Sequence, residues 1–205
     1  DFDPGAATFN MTVAGLQDIF VTKLTNAGVF VWARKMGGTD TETGETIAVD
    51  ASGNIYTSGG YIGTADFDPG AGTFNYTAAS ASIFDIFISK LDAGGNFVWA
   101  KSMGSTGTDY GGCLMTDVSG DLYLASEFEG TVDFDPNANY NTLTAAGNSD
   151  IVVQKLSAAG NYIWAALLGG TSVEIPHGMT LDASGNPIIT GFFNNTADFD
   201  PTARV

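Results

Sequence analysis

Cysteine and histidine are almost missing: Cys113 and His177 are the single copies in 205 residues. One thiol closes no intrachain disulfide, and one imidazole builds no histidine-rich metal site, so Cys-based zinc frameworks and the H-E-x-x-H helix are excluded. Basic residues are scarce too, with seven Lys and Arg against 23 Asp and Glu and a net charge of −16. Phosphate is held by a basic face, so nucleic acid is not an expected partner, and anionic membrane surfaces are disfavoured for the same reason. No apolar run reaches the ~20 residues of a membrane helix and no signal-peptide pattern is present, so membrane insertion is not expected. Neither G-x-S-x-G nor a P-loop occurs. Charged residues make up only 15%, against 27 Gly and 12% aromatics. This is the composition of a turn-rich β protein.

What the chain has in quantity is repetition. Asp-Phe-Asp-Pro occurs at Asp1, Asp66, Asp133 and Asp198, in steps of 65, 67 and 65 residues. Trp32, Trp99 and Trp164 keep the same period, as do the turn residues Asp50, Asp117 and Asp182 and the strand-opening Asp18, Asp85 and Asp150. The chain divides into units 1–65, 66–132 and 133–197, with 198–205 starting a fourth. Such periodicity marks a repeat architecture in which each unit leans on its neighbours. A chain that opens and closes within one motif reads as an excerpt of a longer array. Seventeen of the 23 acids recur in register when Glu42, Asp109 and Glu174 are included. Recurring acids serve either turns or cations.

Each unit reads as two hairpins. "QDIFVTKL" (17–24) and "VFVWARKM" (29–36) flank a turn ending in Gly28, and "TIAV" (46–49) and "IYTSGGYI" (55–62) flank the Asp50 turn. Four antiparallel strands per repeat of about 65 residues predict an all-β chain of β-propeller-like blades. The "DIF" strands are apolar on both faces, as expected of strands sandwiched between neighbouring blades. The residues between DFDP and the next "DIF" are surplus to a compact blade, either a short hairpin or a long loop. Lys23, Lys90 and Lys155 read as edge or snorkelling side chains, or as partners of a repeat carboxylate.

The order D-I-F-V-x-K-L, V-W-A, Gly-rich linker, A-V-D-A-S-G-N-I-Y, D-F-D-P-G resembles the SBBP repeats of bacterial β-propellers, over essentially the whole chain. That resemblance implies a large secreted or surface protein, often with adhesive modules. The third unit departs from it. Pro187 replaces the Ile of "GNIY" and Ile175-Pro176-His177 fills the linker, an expectation against regular pairing there.

DFDP has two readings. Asp and Pro are turn residues, and paired carboxylates are also hard oxygen ligands for calcium, in which case Asp66, Asp68, Asp133 and Asp135 are the first candidates. Asp50, Asp117 and Asp182 read as turn formers, and the three Trp as packing between blades or a glycan-stacking ladder. An active site is normally unique, so repeat-wide carboxylates argue against catalysis, and no catalytic residue or required cofactor is assigned. The expected function is a non-catalytic extracellular or cell-surface structural or adhesive repeat protein, assembling into a larger propeller or filament. Its expected partners are copies of itself, adjacent repeats of a longer chain, or surface glycans. A glycan- or calcium-binding propeller module is the alternative, and a carboxylate-based glycan-active enzyme the weakest reading.

Overall fold

The computed structural model describes residues 1–137 and 139–203. Thr25-Asn26-Ala27-Gly28 turns β1 (Ile19–Leu24) into β2 (Phe30–Gly38). Gly28 has φ 76°, and Gly95 and Gly160 repeat it at 77° and 76°, the left-handed conformation that a Cβ opposes. The Asp50 turn joins β3 (Glu42–Val49) to β4 (Ile55–Tyr61). After two short strands, β5 (Thr64–Asp66) and β6 (Asn75–Thr77), β4 pairs with β7 (Asp85–Leu91), which pairs with β8 (Phe97–Met103). The order β3-β4-β7-β8 is one complete antiparallel blade.

A second blade repeats it with β9 (Tyr110–Thr116), β10 (Leu122–Phe128), β13 (Asp150–Leu156) and β14 (Tyr162–Gly170), around the short β11 (Thr131–Asp133) and β12 (Thr142–Thr144). β1-β2 is half a blade before them. β15 (Glu174–Leu181) and β16 (Pro187–Phe193) are half a blade after them, followed by β17 (Ala197–Asp198) and a 3-10 turn, Pro201–Ala203. A blade therefore takes two strands from one sequence unit and two from the next. The period is that of the sequence, but the sheets straddle the unit boundaries.

Three expectations change or resolve. The first strand of each second hairpin begins well inside the supposed linker, at Glu42 rather than residue 46. The surplus residues form a short hairpin, β5-β6, and β5 pairs back onto the preceding blade through Gly37↔Asp66 and Gly38↔Ala65. β17 holds β14 in the same way. The third unit pairs like the other two: β15 and β16 are joined from Leu181↔Pro187 to Glu174↔Phe193, with one bulge between. Pro187 opens its strand, where a missing N–H is tolerated. His177 is the extra residue of a bulge between Pro176 and Gly178, matching bulges at Glu45 and Gly112 in β3 and β9.

Two apolar cores separate the layers. Ile19, Val21 and Met36 meet Ile55, Phe67, Phe87 and Leu91 in one, while Tyr56, Ile86 and Ile88 meet Leu122, Leu124, Phe134 and Val152 in the other. Because side chains alternate along a strand, Phe87 and Ile88 on β7 serve opposite cores. All seven residues of β7 are buried, as its two apolar faces require. β1 buries only Ile19 and Val21.

Candidate functional site

The DFDP segments close the loops of the short hairpins. Asp66 Oδ1 accepts from the N–H of Asp68 (3.0 Å) and of Phe74 (2.8 Å), and Asp68 Oδ1 from Gly70 N–H (2.8 Å). Asp133 Oδ1 accepts from Asp135 (3.0 Å) and Asn141 (2.8 Å), and Asp135 Oδ1 from Asn137 (3.0 Å). These are Asx turns. Among the described residues no group of three or more His, Cys, Asp or Glu is placed to hold a metal ion. The Asp50 turn works alike, with Oδ1 accepting from Ser52 and Asn54 N–H, both at 2.9 Å. Those bonds, with one from the Asn54 side chain, outweigh burial and hold the Asp50 carboxyl below its ordinary range.

The lysines reach across to turns. Lys23 donates to Ala93 O (3.1 Å) and Lys90 to Ala158 O (2.9 Å), each in the next blade. Lys155 meets carboxylates, Asp117 and Asp121, both at 3.2 Å. Trp99 Nε1 donates to Ala158 O (3.3 Å), and Arg34 covers the Trp32 ring at 5.2 Å. Trp32 and Trp99 thus pack between blades rather than forming an open ladder.

The remaining recurrent acids join one layer to the next. Glu42, Asp109 and Glu174 are 1%, 0% and 0% exposed, and their N–H groups donate to Gln17, Phe84 and Ser149 O of the preceding blade at 3.0, 2.9 and 3.1 Å. Each acceptor precedes a strand-opening Asp: Asp18, Asp85 or Asp150. Glu42 Oε2 and Glu174 Oε2 reach back to Gly38 and Gly170 N–H (2.9 and 2.8 Å), and Asp109 Oδ2 accepts from Ser105 N–H (2.6 Å). Burial pushes Glu42 up to about 7, with the Asp18 and Asp40 charges adding to it. Asp109 rises to about 7 and Asp85 to about 6, again chiefly through burial. At the first junction a cation answers the acids: Lys35 Nζ lies 2.9 Å from Asp18 Oδ2.

One hollow breaks the repetition. The first strands β3, β9 and β15 pack side by side, and a cavity of about 260 Å³ there is lined by Glu45, Tyr110, Cys113, Glu127, Pro176 and His177 among others. Glu45, Gly112 and His177 are the three bulge residues. Tyr110 Oη donates to Glu45 Oε1 (2.9 Å) and bonds the Thr43 hydroxyl. Burial and the neighbouring Glu129 push the Glu127 carboxyl up, against the pull of His177. Burial likewise raises the Cys113 thiol, which disfavours the nucleophilic thiolate. Acidic and half-open, the hollow suits hydroxyl-rich or cationic small groups. The signal in the sequence is slight: three residues after the recurring acids Glu42, Asp109 and Glu174, the aligned repeats carry Glu45, Gly112 and His177.

Blades and period together define a propeller-like repeat module. No family model matches the chain. It is 26% identical, in an alignment of 191 positions that covers 80% of the chain, to an uncharacterised WD repeat-containing protein, L264, of Acanthamoeba polyphaga mimivirus. It is also 28% identical, in an alignment of 160 positions that covers 73% of the chain, to the regulatory protein FlaEY of Caulobacter vibrioides. The matched stretches are 13% and 17% of those proteins, so the chain spans a small part of either.

Proposed function

We propose that this chain is a non-catalytic structural or adhesive module of an extracellular or cell-surface repeat protein, working by joining blade to blade. One observation carries the reading. Positions fully buried in the complete blades are exposed on the outer strand pairs: Phe20 is 58% exposed where Phe87 and Val152 are at 0%, and Phe193 is 53% exposed where Tyr61 and Phe128 are at 0%. In both complete blades the second strand is covered by the third in one register, Ile55↔Leu91 to Tyr61↔Asp85 and Leu122↔Leu156 to Phe128↔Asp150. The same register laid on β16 and β1 pairs Pro187 with Leu24 and Phe193 with Asp18. A strand of this repeat, from an adjacent repeat or another copy, completes each open edge, and contacts of that head-to-tail kind build rings or filaments. The SBBP resemblance supports the surface location.

Light scattering across a concentration series tests this. The 205-residue chain should gain mass with concentration, and Phe20→Asp and Phe193→Asp should each abolish the gain while leaving the β-sheet circular dichroism intact. A wild-type chain that stays monomeric throughout overturns the reading.

The hollow at Glu45, Tyr110 and Glu127 favours a second reading, a glycan- or calcium-binding propeller module. Titration calorimetry separates the ligands. Glycan heat lost in Glu127→Gln places sugar at the hollow, and calcium heat lost in both Asp66→Asn and Asp133→Asn places the ion at DFDP. No heat with either ligand removes this second reading.

A further inference from the structure

The recurrent acids at the junctions are not explained by turns. Between the two complete blades, Asp85 and Asp109 are 4% and 0% exposed; Asp85 opens β7, and Asp109, just before β9, donates its N–H to Phe84 O (2.9 Å), next to Asp85. Asp85 Oδ2 accepts a single bond, from Ala79 N–H (2.9 Å), and its Oδ1 is buried with no partner. Asp109 has both oxygens occupied, by Ser105 N–H (2.6 Å) and Glu129 N–H (3.1 Å). The titratable neighbours are Tyr61 on β4, whose phenol lies in the field of Asp85 and bonds Ser102 Oγ (2.6 Å), and Glu129 after β10, whose Oε2 accepts from Thr108 N–H (3.2 Å). No ion pair involves Asp85 or Asp109 among the described residues. Two like charges buried together with no cation are among the costliest arrangements in a fold.

We propose that the Asp85–Asp109 pair binds a proton in the folded state and that losing it loosens the junction between the two blades. A proton fits better than a metal ion. Among the described residues no third His, Cys, Asp or Glu is grouped with the two acids, whereas a hard cation takes six or more oxygens. An acid kept neutral also supplies its own O–H donor.

The burial that raises Asp85 to about 6 and Asp109 to about 7 sets the direction. A carboxyl whose pKa is raised by folding stabilises the fold below its unfolded value, near 4, and that contribution is lost as pH rises through the folded value. Glu42, raised to about 7, acts in the same sense. The turn acids Asp50 and Asp117, held low, act in the opposite sense but only at lower pH. The window between about pH 5 and about pH 8 therefore reports the raised buried acids, Glu127 of the hollow among them, and the difference made by Asp85→Asn isolates the junction.

Thermal unfolding across that window is the test. The wild type should melt about 5 °C or more lower at the alkaline end. Asp85→Asn, which keeps an acceptor for Ala79 N–H and removes one charge, should raise the alkaline Tm and flatten the slope. An unchanged slope in Asp85→Asn, or a wild-type Tm that rises with pH, overturns the proposal. So does a calcium-dependent rise in alkaline Tm that Asp85→Asn abolishes, since the pair would then hold a cation. Should Asp85→Asn not fold, infrared spectroscopy of the wild type decides. A protonated carboxyl C=O band that titrates near neutrality supports the proton, and its disappearance by about pH 5 overturns it.

Discussion

Phe67→Ala should cost about 3–5 kcal/mol of folding free energy, a large part of the 5–15 kcal/mol typical of a native domain. Phe67 is the aromatic of the second DFDP and is fully buried. Its ring meets Tyr61 edge-on at 5.4 Å, Tyr76 at 6.2 Å and Phe87 at 5.1 Å. Those partners belong to β4, β6 and β7, so one ring ties the inserted hairpin to two strands of its blade. Truncation removes the burial and leaves a hole whose walls are held by sheet pairing and cannot collapse. The chain carries its own control. Phe199 holds the same place in the fourth DFDP but is 50% exposed, touching Phe193 at 5.4 Å. Phe199→Ala should cost about 1 kcal/mol or less, in proportion to the smaller area it buries. Urea unfolding of both variants checks the pair. Equal losses would show that the motif acts through its turn and not through the ring.

The second large effect is Gly111→Ala, expected to cost about 3 kcal/mol, the upper end for overpacking. Gly111 is buried on β9, where the sheet of the second blade presses against β4 of the first. A Cβ there would lie 2.3 Å from Ser58 Oγ, 2.8 Å from Gly59 N and 2.9 Å from Gly59 O. Two of those atoms are backbone of a fully buried strand, so relief requires the two blades to move apart. The equivalent Gly44 has only Ile19 Cγ2 nearby, at 3.2 Å, a methyl that can shift. Gly44→Ala is therefore expected to be mild, and Tm values for the two variants, with loss of junction amide protection in Gly111→Ala, test the difference. A Gly111→Ala protein as stable as Gly44→Ala would falsify the close approach.

Several features were legible in the chain before any coordinates. Period-2 apolar patterning on both faces of "DIF" predicted strands between two layers, and β7 lies between two cores with Phe87 in one and Ile88 in the other. Gly28, Gly95 and Gly160 marked turns that need left-handed backbone. Proline is a local strand breaker, and for that reason the third unit reads from sequence as irregular. Pro187 in fact stands at the first position of its strand, and the residue after Pro176 is absorbed by a bulge that every repeat carries.

The sequence by itself determined what is local and periodic: the strands, their turns, the repeat and the two-sided burial. These follow from side-chain alternation and from turn chemistry, which act within a few residues. Only the tertiary structure decided which strands share a sheet, that a blade straddles two repeat units, and that β5 returns to β2. Nor could spacing show that Asp85 and Asp109 are buried together, or that Glu45, Glu127 and His177 line one hollow. Those facts depend on pairing between segments far apart in the chain, and periodic units offer the same pairing surface several times over. The choice among such pairings is made by the packing of whole layers, where Phe87 finds Phe67 and Gly111 finds Gly59.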